Sequence, residues 1–214
     1  MDVINLTVQF VKQKLADAEG GHDWFHIERV WKNAKLISNS ENGNQLVIEL
    51  ASLLHDIADY KFNDGNEHIG PRIAENFLES INVERVIIKE VVFIIKNISF
   101  KGGYNENIKK TIELEIVQDA DRLDAIGAIG IARTFNFGGF KGSLMHDPDK
   151  KPNINQSEEE YKKSNGTTIN HFHEKLLLLK NLMNTKTGEK LAQNRHNYMI
   201  GFLQQFHSEW DSIK

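Results

Sequence analysis

The sequence lacks several features, and each absence excludes a class of protein. There is no cysteine among the 214 residues, which excludes a disulfide scaffold, a thiolate zinc site, an iron–sulfur cluster and a cysteine nucleophile. No apolar run reaches the roughly 18 residues of a transmembrane helix. The N-terminus has no basic segment followed by an apolar one, so it does not read as a signal peptide. We therefore expect a cytoplasmic protein without a membrane partner.

An excess of charge of one sign is also missing. Lysine and arginine number 26 against 30 aspartates and glutamates, for a net charge of −4. A broad basic surface for duplex nucleic acid is therefore not expected. A chain of this length with 40% hydrophobic residues buries a core without a disulfide or metal staple. Because no linker or internal repeat divides the sequence, we expect one domain over residues 1–214.

Proline is scarce, and the long proline-free segments show helical periodicity. Only the run Val91–Ile95 reads as a strand when taken alone, and the polar residues Lys89, Glu90 and Lys96 around it favour a buried helix. The predicted class is all-α. The expected helices cover about 3–18, 23–38, 45–58, the segment after Pro71, 83–98, 108–124, 125–136, 158–184 and 187–211.

The segment 137–156 differs from the rest of the chain. It contains glycines, two prolines and the lysines Lys141, Lys150 and Lys151. A loop of this length in a compact domain is usually a lid, a binding loop or a disordered segment. The lysines either close over a polyphosphate or belong to an ordinary solvated loop.

Polar residues interrupt the apolar faces of two predicted helices. His55 and Asp56 follow Leu53 and Leu54, and an imidazole with a hard carboxylate oxygen suits a divalent ion. The alternative is a core histidine hydrogen-bonded to its neighbouring aspartate. Asp121 lies on a partly apolar face, where a carboxylate is costly unless it is paired or metal-bound. Its alternative is a salt bridge to a nearby arginine such as Arg122 or Arg29.

His26 is a third candidate ligand, near the start of the second predicted helix. His22 and His26 are four residues apart and share a face if that helix starts early enough. Taken together, His26, His55, Asp56 and Asp121 supply four ligands. An octahedral ion would then keep about two positions for water or substrate, as a catalytic metal requires.

The order H…HD…D resembles that of the HD superfamily of metal-dependent phosphohydrolases. Three segments carry the resemblance, His22–Val30, Leu54–Phe62 and Asp119–Ala128, and they are most similar to a bacterial subgroup of small, stand-alone HD proteins. The C-terminal segment His171–Leu177 is similar to the same subgroup. The resemblance implies an HD helical bundle with a motif core of about 22–125 and additional C-terminal helices at about 158–211.

The resemblance also implies the ligand set His26, His55, Asp56 and Asp121. The His-x-x-Arg-Val context favours His26 over His22, and the Ala-Asp-Arg-Leu context favours Asp121 over the nearby Asp119 and Asp124. Each assignment could shift by one helical turn. Relatives with two metals resemble one another in extra histidine or carboxylate ligands between the HD pair and the last aspartate, and this chain has one histidine there, His68, and no His-His pair. One divalent ion is therefore expected, with Mn²⁺ favoured and Mg²⁺, Fe²⁺, Zn²⁺ or Ni²⁺ as alternatives.

Four further residues receive roles by position and resemblance. Asp59 is similar to the carboxylate that serves the attacking water in related guanosine-tetraphosphate hydrolases, although a solvated helix-end carboxylate is the alternative. Lys61 and Arg122 flank the ligands and suit phosphate oxygens, with surface salt bridges as their alternative. His22 is then a substrate contact or an outer support of the metal site.

The resemblance implies a phosphohydrolase acting on nucleotides. Within the subgroup, the expected reaction is pyrophosphohydrolysis of a nucleoside or deoxynucleoside triphosphate with a metal-activated water. The alternatives are an HD nucleotidase acting on monophosphates and a metal-retaining nucleotide-binding or regulatory module with little catalysis. Expected partners are a small nucleotide or phosphoester and, at the base rate for soluble enzymes, a second copy in a homodimer.

Overall fold

The computed structural model of the chain describes residues 2–16, 23–57, 68–98, 109–154 and 166–213. All regular secondary structure in these ranges is helical, which confirms the predicted all-α class. None of these helices is long and apolar enough to cross a bilayer. The elements are α1 (Val3–Lys14), α2 (Trp24–Ser38), α3 (Gln45–Leu54), α4 (Ile69–Ser80), α5 (Arg85–Asn97), α6 (Ile112–Asp124), α7 (Gly127–Phe140), α8 (Thr168–Glu174), a 3₁₀ helix (Leu176–Leu182) and α9 (Lys186–Trp210).

The chain divides into two compact units, residues 1–121 and 122–214. Each unit buries apolar side chains of its own helices. That the whole chain forms a single domain stays a prediction.

The first unit is organised around α3. This helix begins at the cap residue Asn44, whose side chain accepts hydrogen bonds from the backbone N–H groups of Leu46 and Val47. Because α3 is buried on nearly every face, it packs against α1, α2 and α5. The hydroxyl of Ser52 is buried but donates to the carbonyl of Ile48 at 2.7 Å. The buried residues are Val47, Ile48, Leu50, Ala51, Ser52, Leu53 and Leu54.

The Val- and Ile-rich segment that could be mistaken for a strand is helix α5, as predicted. Its buried residues recur at three- and four-residue intervals, so one apolar face meets α3 and α4. At its end, the amide of Gln118 donates to the carbonyl of Asn97 at 2.9 Å and satisfies one helix-end acceptor. The buried positions are Ile88, Val91, Val92, Ile94 and Ile95.

Three phenylalanines join the helices of the second unit. Phe135 of α7, Phe172 of α8 and Phe202 of α9 place their ring centroids 5.9 to 6.0 Å from one another. Aromatic pairs at this separation gain about 0.5–1.5 kcal/mol beyond the burial of their area. The fully buried Phe172 is therefore the centre of this core.

The expected helix over 158–184 is wrong in its extent. Thr167 caps α8 by accepting a hydrogen bond from the backbone N–H of Asn170 at 3.1 Å, so this helix begins at Thr168. It ends at Glu174 because Lys175 leaves the helical region with φ −140° and ψ −59°, and a 3₁₀ helix follows. Residues 158–165 of the prediction lie outside the described ranges.

The glycine- and proline-rich loop begins later than expected, because α7 continues to Phe140. Its described part, 141–154, has no helix or strand. Backbone N–H groups of Thr168 and Ile169 donate to the carbonyls of Leu144 (2.9 Å) and Met145 (3.0 Å), so part of the loop is fixed to the start of α8.

Gly130 in α7 has no room for a side chain. A Cβ atom there would overlap the backbone carbonyl of Ala125, which cannot move without shifting the chain. We expect Gly130→Ala to lower the free energy of unfolding by about 1–3 kcal/mol. The matched control is Gly201→Ala in α9, where no atom apart from the adjoining backbone of the same helix lies within 4 Å of the new Cβ. That change should raise stability by about 0.5–1 kcal/mol. Urea unfolding measures both, and equal effects would contradict the steric argument.

Candidate functional site

Helix α2 carries the first predicted ligand. Asp23 caps this helix, and its carboxylate accepts a hydrogen bond from the backbone N–H of His26 at 2.9 Å. The cap therefore fixes His26 in the first turn, with a side chain only 4% exposed. Neighbouring Phe25 is exposed at 62%, so consecutive residues of this turn face the interior and the solvent.

The His55–Asp56 pair lies at the end of α3. The sequence predicts a helix to about residue 58, but α3 ends at Leu54 and His55 is its C-cap. The ring Nδ1 of His55 lies 2.8 Å from the carbonyl oxygen of Ser52. Because a carbonyl only accepts, Nδ1 carries the proton and the Nε2 lone pair of the neutral ring is able to bind a metal. This contact orients the histidine at the end of the helix.

Helix α6 brings in the last aspartate. The Oδ1 atom of Asp121 lies 3.6 Å from Nε2 of His26 and 3.8 Å from Nε2 of His55. Of the two alternatives, Asp119 is fully buried and Asp124 forms an ion pair with Arg133. The geometry therefore places the carboxylate of Asp121 beside both imidazoles.

Three of the predicted ligands already offer one atom each within 4.8 Å of one another: His26, His55 and Asp56. Across the described ranges, no other such group of three occurs. The two imidazole rings have centroids 5.4 Å apart and planes at 70°, and Nε2 of His26 lies 3.9 Å from Oδ2 of Asp56. The four predicted ligands thus converge within the first unit.

The donor set fits a divalent cation. The nitrogen–oxygen distances within this donor set, 3.6 to 3.9 Å, are longer than the length of a hydrogen bond. Two ligands of one ion, each at about 2.1 Å, are about 3.0 Å apart at right angles and about 4.2 Å apart when opposed. The observed separations lie between these limits. A lone pair of His55 also faces a carboxylate oxygen, an arrangement that a cation between them stabilises.

The other predicted site residues are placed only in part. One guanidinium nitrogen of Arg122 donates to the backbone carbonyl of Leu182 within the second unit. That contact gives Arg122 a structural partner, and its role toward substrate stays a prediction. His22, Asp59 and Lys61 lie outside the described residues.

A buried charge cluster was not predicted from the sequence. The carboxylate of Asp124, whose side chain is 2% exposed, lies 2.5 Å from Nη1 of Arg133. The guanidinium of Arg195 in α9 donates to the carbonyl of Leu123. Burial lowers the pKa of Arg195, and the charge of Asp124 raises it. Arg133 and Arg195 are nine and 71 residues from Asp124 in the chain, beyond the end of α6. No periodic pattern in the sequence connects residues at these separations, so the cluster could not be predicted.

His171 belongs to the C-terminal segment that resembles the bacterial subgroup. Burial of the ring, with the Lys175 ammonium nearby, lowers the pKa of His171 to about 4 from its ordinary 6.5. Between these pH values the unfolded chain binds a proton that the folded chain does not. The contribution of His171 to the free energy of unfolding is therefore complete above pH 6.5, and it is lost as the pH drops toward 4.

We expect this group to remove about 3 kcal/mol from the free energy of unfolding between pH 6.5 and 4. Urea unfolding of wild type and His171→Asn over this range measures the effect. The variant should lose less stability on acidification than wild type, because its side chain does not titrate. Parallel pH profiles would contradict a neutral buried His171.

The fold and the site define a class. Helices bring His26, the His55–Asp56 pair and Asp121 to one point, and residues 24–126 match the HD domain family. The chain belongs to the HD superfamily of metal-dependent phosphohydrolases. The expected family, enzyme class and divalent-metal requirement are therefore confirmed.

Relatives match nearly the whole chain. The uncharacterised protein YpgQ of Bacillus subtilis is 35% identical over 205 residues, and the match covers 95% of this chain and 92% of the YpgQ chain. An HD-superfamily hydrolase structure from Bacillus thuringiensis has 45% identity and a TM-score of 0.78 and covers 97% and 96% of the two chains. The structure of YpgQ in complex with ADP has 33% identity, a TM-score of 0.77, and coverages of 96% and 94%.

Proposed function

We propose that this enzyme is a pyrophosphohydrolase of nucleoside or deoxynucleoside triphosphates that uses Mn²⁺. The observation that carries the proposal is the convergence of two imidazoles and two carboxylates on one point of the first unit. The relative YpgQ was crystallised with ADP, a nucleoside diphosphate, which supports a nucleotide as the substrate.

The exposure of the four side chains indicates the side from which substrate approaches. His26 and His55 are 4% and 5% exposed, whereas Asp56 and Asp121 are 19% and 38% exposed. The histidines therefore form the closed floor of the site, and the carboxylates border its open side. A metal held by these four side chains would be accessible to water and phosphate from the side of the carboxylates.

His26, His55, Asp56 and Asp121 would hold the metal. Ser52 keeps the ring of His55 in the tautomer that binding requires. A divalent ion held by these residues would lower the pKa of bound water and would bind phosphate oxygens. We assign Asp59 to accept the proton of the attacking water, and Lys61, Arg122 and His22 to the phosphates or the nucleoside. The water oxygen bonds to the α-phosphorus, the bond from that phosphorus to the bridging oxygen breaks, and pyrophosphate leaves.

The test is a panel of ribo- and deoxynucleoside mono-, di- and triphosphates with Mn²⁺ in ¹⁸O-labelled water. The expected products are monophosphate and pyrophosphate, with the label in the monophosphate if the α-phosphorus is attacked. Orthophosphate from a monophosphate would replace the proposal by a nucleotidase. If the protein retains stoichiometric metal but hydrolyses no nucleotide, the proposed activity is replaced by a metal-retaining binding module. Asp56→Asn, which removes the charge of one proposed ligand, is the inactive control.

A further inference from the structure

Two histidines of the second unit lie side by side, outside the HD site. His146 lies in the segment 141–154, and His207 lies in the last turn of α9. Their ring centroids are 5.3 Å apart and their planes meet at 74°. His26 and His55 show nearly the same arrangement, at 5.4 Å and 70°. Both pairs therefore have a spacing at which two imidazoles can bind one ion.

The ring of His146 has an unsatisfied polar atom. Its Nδ1 is buried and has no hydrogen-bond partner. Buried polar atoms in native proteins are nearly always paired, so this nitrogen is a candidate to bind a ligand. The ring lies 4.8 Å from that of Trp210 and 5.7 Å from that of Phe206, which restrict its movement. The orphan nitrogen is therefore held in place.

Two carboxylates lie near His146. Asp211 follows His207 by four residues and lies one helical turn away, and Asp147 follows His146 in the chain. Both carboxylates act on His146 through their charge. Asp211 is exposed at the end of α9, so its side chain can rotate toward the imidazoles. That rotation is needed, because within the described ranges only the HD site already has three donor atoms within 4.8 Å.

Titratable and charged groups lie around His146 and His207. Burial and the neighbouring His207 lower the pKa of His146, while Asp147 and Asp211 raise it. His173, on α8, is a second ring near His207 and has a lowered pKa for the same two reasons, partly offset by Glu174.

We propose that His146, His207 and Asp211 form a second metal site, which binds a late first-row divalent ion such as Zn²⁺. Two imidazoles and a carboxylate are the donors that such ions prefer. Since His146 and His207 come from different elements, the ion would join the segment 141–154 to α9. This proposal uses no residue of the HD site and does not depend on the substrate proposed above.

Equilibrium dialysis of chelator-treated protein against Zn²⁺, followed by metal analysis, tests the site. Wild type should bind two equivalents, and His207→Gln should bind one. Asp211→Asn should weaken the second equivalent at least tenfold. Glu209→Gln changes a neighbouring exposed carboxylate of the same helix and should keep both. Asp121→Ala should lose only the first equivalent, which separates this site from the HD site.

A second readout uses Trp210 as a local reporter. Ni²⁺, a paramagnetic ion with similar ligand preferences, should quench the fluorescence of Trp210. The saturable quenching assigned to this site should disappear in both His207→Gln and Trp210→Phe. One equivalent of Zn²⁺ in wild type, or two in folded His207→Gln, would overturn the proposal. So would an unchanged second affinity in Asp211→Asn, because the third ligand would then be wrong.

Discussion

Asp121→Ala is expected to reduce phosphohydrolase activity at least about a hundredfold, because loss of an outer partner of a metal ligand alone costs 10- to 100-fold. The Oδ1 atom of Asp121 lies within 3.8 Å of both proposed histidine ligands. Without this carboxylate, the remaining donors hold the ion with less charge and with one coordination position lost to water. The affinity for Mn²⁺ should fall in parallel with activity.

Calorimetric titration with Mn²⁺ and an assay of product release measure these two effects. Asp121→Asn should be intermediate in metal affinity, since it keeps a neutral oxygen donor. Glu115→Gln, a carboxylate in the first turn of the same helix, is the matched control and should leave both quantities unchanged. An Asp121→Ala variant with normal metal affinity would exclude Asp121 as a ligand, whatever the substrate.

Asp124→Ala should lower the free energy of unfolding by about 3 kcal/mol, because it removes one partner of a buried ion pair. Its carboxylate is almost fully buried against Arg133, whose side chain is 27% exposed. Removal deprives the Arg133 guanidinium of this counter-charge and Arg195 of the carboxylate that raises its pKa. A desolvated charge that loses its counter-charge is costly, so the folded state should suffer much more than the unfolded chain.

The matched control for Asp124→Ala is a variant of an ion pair at the protein surface. Arg85 and Glu79 form a pair whose side chains are 57% and 48% exposed. Glu79→Ala should cost at most about 1 kcal/mol, because water screens both charges in the folded protein. Urea unfolding of the two variants, each fitted for its midpoint and slope, measures the difference. Equal losses would show that burial does not strengthen the Asp124–Arg133 pair.

Sequence patterns predicted the helical class because they report which side chains must be buried. The spacing of buried residues in α5 is helical, and this outweighed the strand preference of valine and isoleucine. The end of α3 was less predictable. The apolar pattern continues past Leu54 to Ile57, but α3 ends at Leu54, and the ring of His55 bonds back to the carbonyl of Ser52. Hydrophobic periodicity reports neither the end of this helix nor this contact.

The site was predicted only in part. Resemblance selected His26, His55, Asp56 and Asp121, and the geometry brings these side chains together. Contacts across breaks in the helical pattern were missed. The pairing of Asp124 with Arg133 depends on the turn between α6 and α7, and the contact of His146 with His207 joins residues 61 apart. A sequence read in windows contains no information on such pairs.

The hydrogen bond from the ring of His55 to Ser52 has a consequence for sequence variation. The acceptor is a main-chain carbonyl, and every residue type at position 52 supplies one. Substitution of the serine side chain therefore leaves the orienting oxygen in place as long as α3 keeps its course. The tautomer of this histidine is insensitive to mutation at position 52, whereas ligands oriented by side chains can lose their support through a single codon change.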